Sequence, residues 1–408
     1  MRALLWLQGD FMSFKIIKNS KPSIGVVGAG PAGAMAAYLL ASEGYSVTLF
    51  ERRKEVERKV CGEYLCPEGV RLLRELNLLD KLCEGFSELQ GMVLVSPTDV
   101  VIPSYFPKKA NVNAENGLSL NRKTFDQNIL KLAVDHGAKL LKDKTIVSAH
   151  QTSVGSWEIL DTNQDKYDFD LLIVADGRQS KIGHSLGHLK AVDTKRAAIH
   201  CYLSRKTDRG LRLGEMHILK DNGYCGLDPI SDDEVNFSIV CDSKKLKKET
   251  PVSIINSAIS NSKRLSAMFD LLDGKKSNDI KIVSSLKNKN LFIAGNNLAY
   301  VGDAAGFIDP LTGEGIYNAL LSSRLLATNI LSSSNLEIAL ANYKKQKKKL
   351  SFQKNLLNHF FQFLIRKPLL VNLTARYLKK SPERADQFIG IIGNVHSPVV
   401  GFIKMLAA

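Results

Sequence analysis

PSIGVVGAGPAGAMAAYLLASEGYSVTLFE, residues 22–51, contains the turn on which the fold depends. Its apolar residues are contiguous from Ile24 to Val27, as in a strand, and then recur at helical spacing from Met35 to Leu40. The change of period falls on Gly28, Gly30 and Gly33, a GxGxxG set between strand and helix. In that setting the first glycine allows the tight turn, the second admits a pyrophosphate, and the third lets the helix pack on the strand. The pyrophosphate would rest on the helix N-terminus, where unpaired N–H groups favour an anion. Glu51 ends the second strand, 18 residues after Gly33. A carboxylate there accepts both hydroxyls of an adenosine ribose and disfavours a 2′-phosphate. Ala32 in the turn and Arg52 beside Glu51 join the expected cofactor contacts. The ligand is FAD or NAD.

A second segment chooses between them. Residues 290–327, NLFIAGNNLAYVGDAAGFIDPLTGEGIYNALLSSRLLA, close a short apolar strand at Leu298–Val301 and open a long helix near Ile316. Gly302 and Asp303 end the strand, and Pro310, Gly313 and Gly315 precede the helix. An aspartate at such a strand end holds the ribityl hydroxyls of a flavin, while the helix N-terminus faces the ring pole that becomes negative on reduction. NAD needs no such second station, so the reading is FAD. Arg122 opens a third segment, a helix with Phe125, Ile129, Leu132 and Ala133 on its apolar face, and its guanidinium is in reach of flavin phosphates.

Composition sets the frame. The chain of 408 residues is 44% hydrophobic and 24% charged, ordinary values for a globular protein of two or three structural units. Six scattered cysteines, at 61, 66, 83, 201, 225 and 241, suit a reducing, cytoplasmic setting and form no zinc pattern with the histidines, so no metal is expected. The net charge of +15 comes partly from KKLKK (244–248) and KKQKKK (344–349), which read as solvated helix faces. No aromatic residues interleave these runs, which argues against a nucleic-acid groove. Residues 1–22 read as a disordered lead, with Met12 as an alternative start.

The glycine-rich start, NRKTFDQNIL (121–130), DLLIVADGRQSKIG (170–183) and GDAAGFIDPLTGEGIYNAL (302–320) together resemble the para-hydroxybenzoate hydroxylase superfamily. That superfamily includes group A flavin monooxygenases, geranylgeranyl reductases and flavin-dependent halogenases. The resemblance implies an α/β fold: a Rossmann-type FAD-binding domain (23–85, 115–190 and 285–335) interrupted by a β-sheet substrate domain (86–114 and 191–284), followed by a helical C-terminal region (336–408). It also implies that Asp176 and Gly177 lie near the flavin pyrophosphate or on the route of a nicotinamide donor. No second GxGxxG provides a resident nicotinamide site, so NADPH or NADH is expected as a transient reductant, or a partner protein as electron donor.

Against that resemblance, CGEYLCP (61–67) becomes the loop that passes the flavin, with Cys61 as a cofactor contact and Glu63 as a catalytic candidate. A disulfide between Cys61 and Cys66 stays open. GYCGLDPI (223–230) reads as a turn-rich crossing over the flavin ring, and supplies Tyr224 and Asp228 as further catalytic candidates. Halogenases carry Gly-Trp-x-Trp-x-Ile-Pro there, and geranylgeranyl reductases Tyr-x-Trp-x-Phe-Pro. This chain keeps only Tyr224 and Pro229 of the second pattern, and no counterpart of the halogenase lysine, which disfavours halogenation. From Asn355 onward apolar helices follow; cover for the tunnel of a hydrophobic small-molecule substrate or a surface resting on a membrane would both produce this pattern, and plain core packing is favoured over membrane contact.

The expected activity is FAD-dependent monooxygenation of an aromatic or polyketide-like molecule through a flavin C4a-hydroperoxide. Two alternatives stand beside it. One is a flavin-dependent reductase of isoprenoid or lipid double bonds; the other is a non-catalytic FAD-binding redox sensor using Cys61 and Cys66.

Overall fold

The computed structural model describes residues 21–59, 62–107, 115–192, 195–206, 212–273, 280–284, 288–307 and 313–408. Cys61, Pro310 and the lead up to residue 20 lie outside the described residues.

The first sheet has six strands in the order Ala294–Gly295, Leu298–Tyr300, Leu171–Val174, Ile24–Val27, Val47–Phe50 and Lys139–Leu141. All neighbours are parallel except the Ala294–Gly295 edge. Ile24–Val27 lies at the centre, covered on both faces, which explains an unbroken apolar run in place of alternation. Helix Pro31–Ala41 leaves this strand through Gly28, whose φ of +103° is open to glycine. A Cβ on Gly33 would fall 1.8 Å from the Gly28 carbonyl oxygen, so helix and turn touch backbone to backbone. Helix Gly315–Ser332 packs beside it, and the Ser323 hydroxyl donates to the Ala32 carbonyl at 2.7 Å. This bond ties the two expected cofactor segments together, 291 residues apart in sequence.

The second sheet has seven strands, in the order Lys281–Ser284, Arg196–Ser204, Glu234–Asp242, Tyr224–Pro229, Leu213–Ile218, Gly91–Val95 and Val101–Tyr105. Only the Leu213–Ile218 and Gly91–Val95 pair is parallel. Side chains alternate between its faces. Cys225, Leu227, Phe237 and Ile239 pack under helices Pro251–Ser260 and Lys263–Met268. Tyr224 and Val240 meet the C-terminal helices on the opposite face, and Gly226, Asp228 and Ser238 open on the central cavity.

One local expectation is corrected. The GYCGLDPI stretch is not a turn-rich crossing, because Tyr224–Pro229 is a strand paired on both sides. The turn is confined to its start, where Asn222 takes a positive φ, and Pro229 is tolerated because it ends the strand. The C-terminal region is helical from Leu336 onward. A single helix of 30 residues, Leu336–Ile365, runs through the lysine cluster, and Pro368–Lys379, Pro382–Ile392 and Pro398–Ala407 follow it.

Candidate functional site

A cavity of about 860 Å³ lies between the carboxyl ends of the parallel strands, the inner face of the second sheet and the long C-terminal helix. Gly28, Gly30, Ala32, Glu51, Arg52, Arg122, Asp176, Gly302, Asp303, Gly313, Gly315, Ile316, Tyr224 and Asp228 all line it. Ligands of open α/β sheets bind in this crevice beyond the strand ends.

At the glycine turn, Gly30 caps helix Pro31–Ala41 without any side-chain hydrogen bond, and no acidic residue sits in the first turn. The leading N–H groups therefore face the cavity free of competing side-chain acceptors. Glu51 is fixed beside them, accepting from Ala29 N at 3.2 Å and Arg53 N at 3.1 Å. Its carboxylate is thus aimed by the backbone of the turn it serves.

The floor is strongly basic. Burial raises the Asp303 carboxyl above its ordinary value, while Arg122, Arg178, Lys347 and Lys59 all pull it back down. Four cations near one carboxylate leave an excess of positive charge, as a ligand with two phosphates requires. Arg122 is itself pinned: its guanidinium makes two bonds to Asp126, at 3.0 and 3.1 Å, and Lys59 reaches the same carboxylate at 3.0 Å. Burial pushes Asp126 up, but these two cations outweigh it and hold the carboxyl below its usual range.

Glu63 is fully buried yet does not line the cavity. It accepts from the Arg122 backbone at 3.0 Å and pairs with Arg58 at 3.1 Å. Its geometry is that of a brace between the flavin-side loop and the Arg122 helix. Gly33 is likewise behind the wall, in the packing contact already described. Cys66 is a free, buried thiol whose pKa burial pushes up to about 12, far from a reactive thiolate.

Two buried oxygens mark places where a ligand group would be accommodated. Asp176 Oδ1 and the Tyr64 hydroxyl have no partner among the described residues, and both residues line the cavity. The uncapped helix, the ribose carboxylate, the basic floor and these orphan atoms fit FAD. On the substrate side, burial, with Glu63 nearby, pushes the Asp228 carboxyl up to about 7. An acid shifted this far holds its proton up to near neutral pH. Tyr224 lies below the guanidinium of Arg196, 5.3 Å from its ring centre, as part of the same wall.

Sequence reasoning missed the contribution of the long C-terminal helix. Lys347, Leu350, Ser351, Lys354 and Asn358 of that helix line the cavity. Burial, together with repulsion from Lys354, brings the Lys347 ammonium down to about 8, and Asp303 opposes the shift. Lys354 donates to Asn318 at 2.7 Å and to Glu314 at 3.3 Å, and so braces the glycine loop before helix Gly315–Ser332. A signal was present: Tyr343, Lys347, Leu350, Lys354, Leu357 and Phe361 recur at spacings of four and three, which puts two lysines on an inward stripe.

Fold and cavity together define an FAD-dependent oxidoreductase. The chain belongs to the FAD binding domain family, whose pattern matches residues 21–337. It is 25% identical to Conditioned medium factor receptor 1 of Dictyostelium discoideum over 388 residues, 88% of this chain and 74% of that protein. It is 30% identical to a digeranylgeranylglycerophospholipid reductase of Methanospirillum hungatei over 314 residues, 74% of this chain and 73% of the relative. Among solved structures it is similar to the flavin-dependent halogenase CmlS, with a TM-score of 0.76 at 18% identity, covering 96% of this chain and 77% of the other. At that identity the likeness speaks for the fold alone.

Proposed function

We propose that this protein is an FAD-dependent reductase of carbon–carbon double bonds in a prenyl or other long-chain lipid. The observation that carries the reading is the placement of Asp228, a buried acid whose carboxyl burial pushes up to about 7, on a cavity that the long C-terminal helix also lines. The name of the Methanospirillum hungatei relative supports the same chemistry. The first expectation, monooxygenation, draws support only from distant likenesses of fold.

Reduced FAD, when bound, supplies a hydride to one alkene carbon. The chain has three tasks around that event. Its helix N-terminus, Glu51 and the basic floor hold the cofactor's dinucleotide portion. The inner face of the seven-stranded sheet covers the site and excludes water. Asp228 delivers the proton that the second carbon takes up, so that the product gains one hydrogen pair. Reprotonation of Asp228 from solvent, and reduction by NADPH, NADH or a protein donor, complete the cycle.

The test is anaerobic. Purified protein reduced by light would be mixed with a geranylgeranyl glycerolipid in detergent, and the product examined by mass spectrometry in ordinary and heavy water. The expected product carries one added hydrogen pair per double bond, with both added hydrogens deuterium in heavy water, because the N5–H of reduced flavin and the Asp228 proton both exchange with solvent. A product that appears only in air and has gained an oxygen atom would overturn the reductase reading in favour of oxygenation.

A further inference from the structure

We propose that the C-terminal helices form a docking face for an anionic lipid bilayer. No described helix is long and apolar enough to cross a membrane, so the contact is one of a surface. Phe352, Leu356, Phe360 and Phe363 form one stripe of helix Leu336–Ile365, and each is exposed. The opposite stripe of the same helix lines the cavity. Leu369 and Leu373 repeat the pattern on the next helix, and Val399, Ile403 and Leu406 on the last; Leu369 is 80% exposed and Leu406 71%.

These stripes adjoin. Phe360 meets Phe402 edge to face, with ring centres 5.5 Å apart. A second cavity of about 330 Å³ is lined from four helices, by Phe360 and Leu364, by Leu373 and Tyr377, by Phe388, and by Phe402 and Met405. Among the described residues, twelve of the nineteen exposed large apolar side chains lie in residues 352–408. Contiguous apolar area of this kind marks an interaction surface.

Charge identifies the partner. Residues 336–408 hold thirteen Lys and Arg against three Asp and Glu, ten of the chain's fifteen excess positive charges. Arg366 and Lys367 stand beside Leu369, Arg376 and Lys380 share the Leu373 face of their helix, and Lys404 follows Ile403; all are exposed. A second copy of this face would set like charges against each other, whereas an anionic bilayer complements both the cations and the apolar stripes. Docking does not depend on which reaction the cavity performs. If the reductase reading holds, one helix separates the bilayer from the cofactor cavity, a short path for a lipid tail.

The experiment is flotation of the FAD-loaded full chain with vesicles of phosphatidylcholine, with and without phosphatidylglycerol, at low and high salt and without substrate. The expected result is flotation with the phosphatidylglycerol vesicles, weakened by salt. The Leu369→Glu, Ile403→Glu double variant should lose binding by at least about tenfold while keeping its flavin spectrum. Arg376→Ala, Lys380→Ala should weaken it less and flatten the salt dependence. Absence of flotation at low salt, or equal flotation of the double variant, would overturn the proposal. So would light scattering that shows a dimer which the double variant converts to monomer, because the face would then belong to a second copy. None of these results bears on the alkene reduction assay.

Discussion

The glycine turn at residues 28–33 and the lysine run at 344–349 both face the same cavity, yet they differ in how they come to do so. At the turn, function follows from backbone geometry that only glycine satisfies: a φ of +103° at Gly28 and contact with no room for a Cβ at Gly33. In the lysine run the residue type is uninformative. Lys345, Lys348 and Lys349 are exposed, while Lys347 borders the cavity and feels Asp303. A rotation of about 100° per residue separates a solvated charge from a site residue. Chemistry fixed by local backbone is written locally, whereas chemistry fixed by orientation depends on what the helix packs against.

The sharpest way to break this comparison is Gly33→Val. A side chain there must displace the Gly28 carbonyl, so FAD should be lost entirely, read as a colourless protein after purification. Asp228→Asn comes next. Turnover should fall about 100-fold with the flavin spectrum retained, because the proton donor is gone and the cofactor contacts are not. In the unaltered protein the rate should decline as pH rises through about 7, where Asp228 loses its proton, and the variant should lack this limb.

Lys347→Met should raise the FAD dissociation constant about tenfold, measured by recovery of free-flavin fluorescence on dilution. Because the Lys347 charge is lost as pH rises through about 8, affinity of the unaltered protein should weaken above that pH, and the variant should not follow. Equal pH dependence in both would show that the lysine run is a solvated face throughout. The smallest effect is expected at Cys66→Ser. With its thiol buried and titrating near 12, Cys66 should resist thiol reagents in the folded protein, and its replacement should leave turnover within about twofold. A large loss of redox response on this substitution, with turnover intact, would favour the sensor alternative.

Several elements were legible for the same reason as the glycine turn. The strand starting at Ile24, the helix starting at Pro31, and Glu51 at its strand end have period and spacing that suffice within a single βαβ unit. The strands of the second sheet within 91–106, 196–204, 213–218 and 234–242 show apolar alternation in the sequence, whereas Lys281–Ser284 does not, and the glycines and proline of Tyr224–Pro229 imitate a turn until neighbours on both sides impose pairing. Glu63 was read as catalytic because its loop neighbours the flavin segments. Its role as a brace depends on Arg58 and on the Arg122 backbone, partners that no local pattern announces.

The sequence by itself determined the cofactor class and the α/β architecture that holds it, because tight turns, strand ends and helix starts carry their steric requirements in neighbouring residues. Only the tertiary structure decided which carboxylate keeps a proton, which lysine faces the cofactor cavity and which apolar stripe stays exposed. Those properties are set by burial and by the charges of distant segments, and they arise only when the chain has packed.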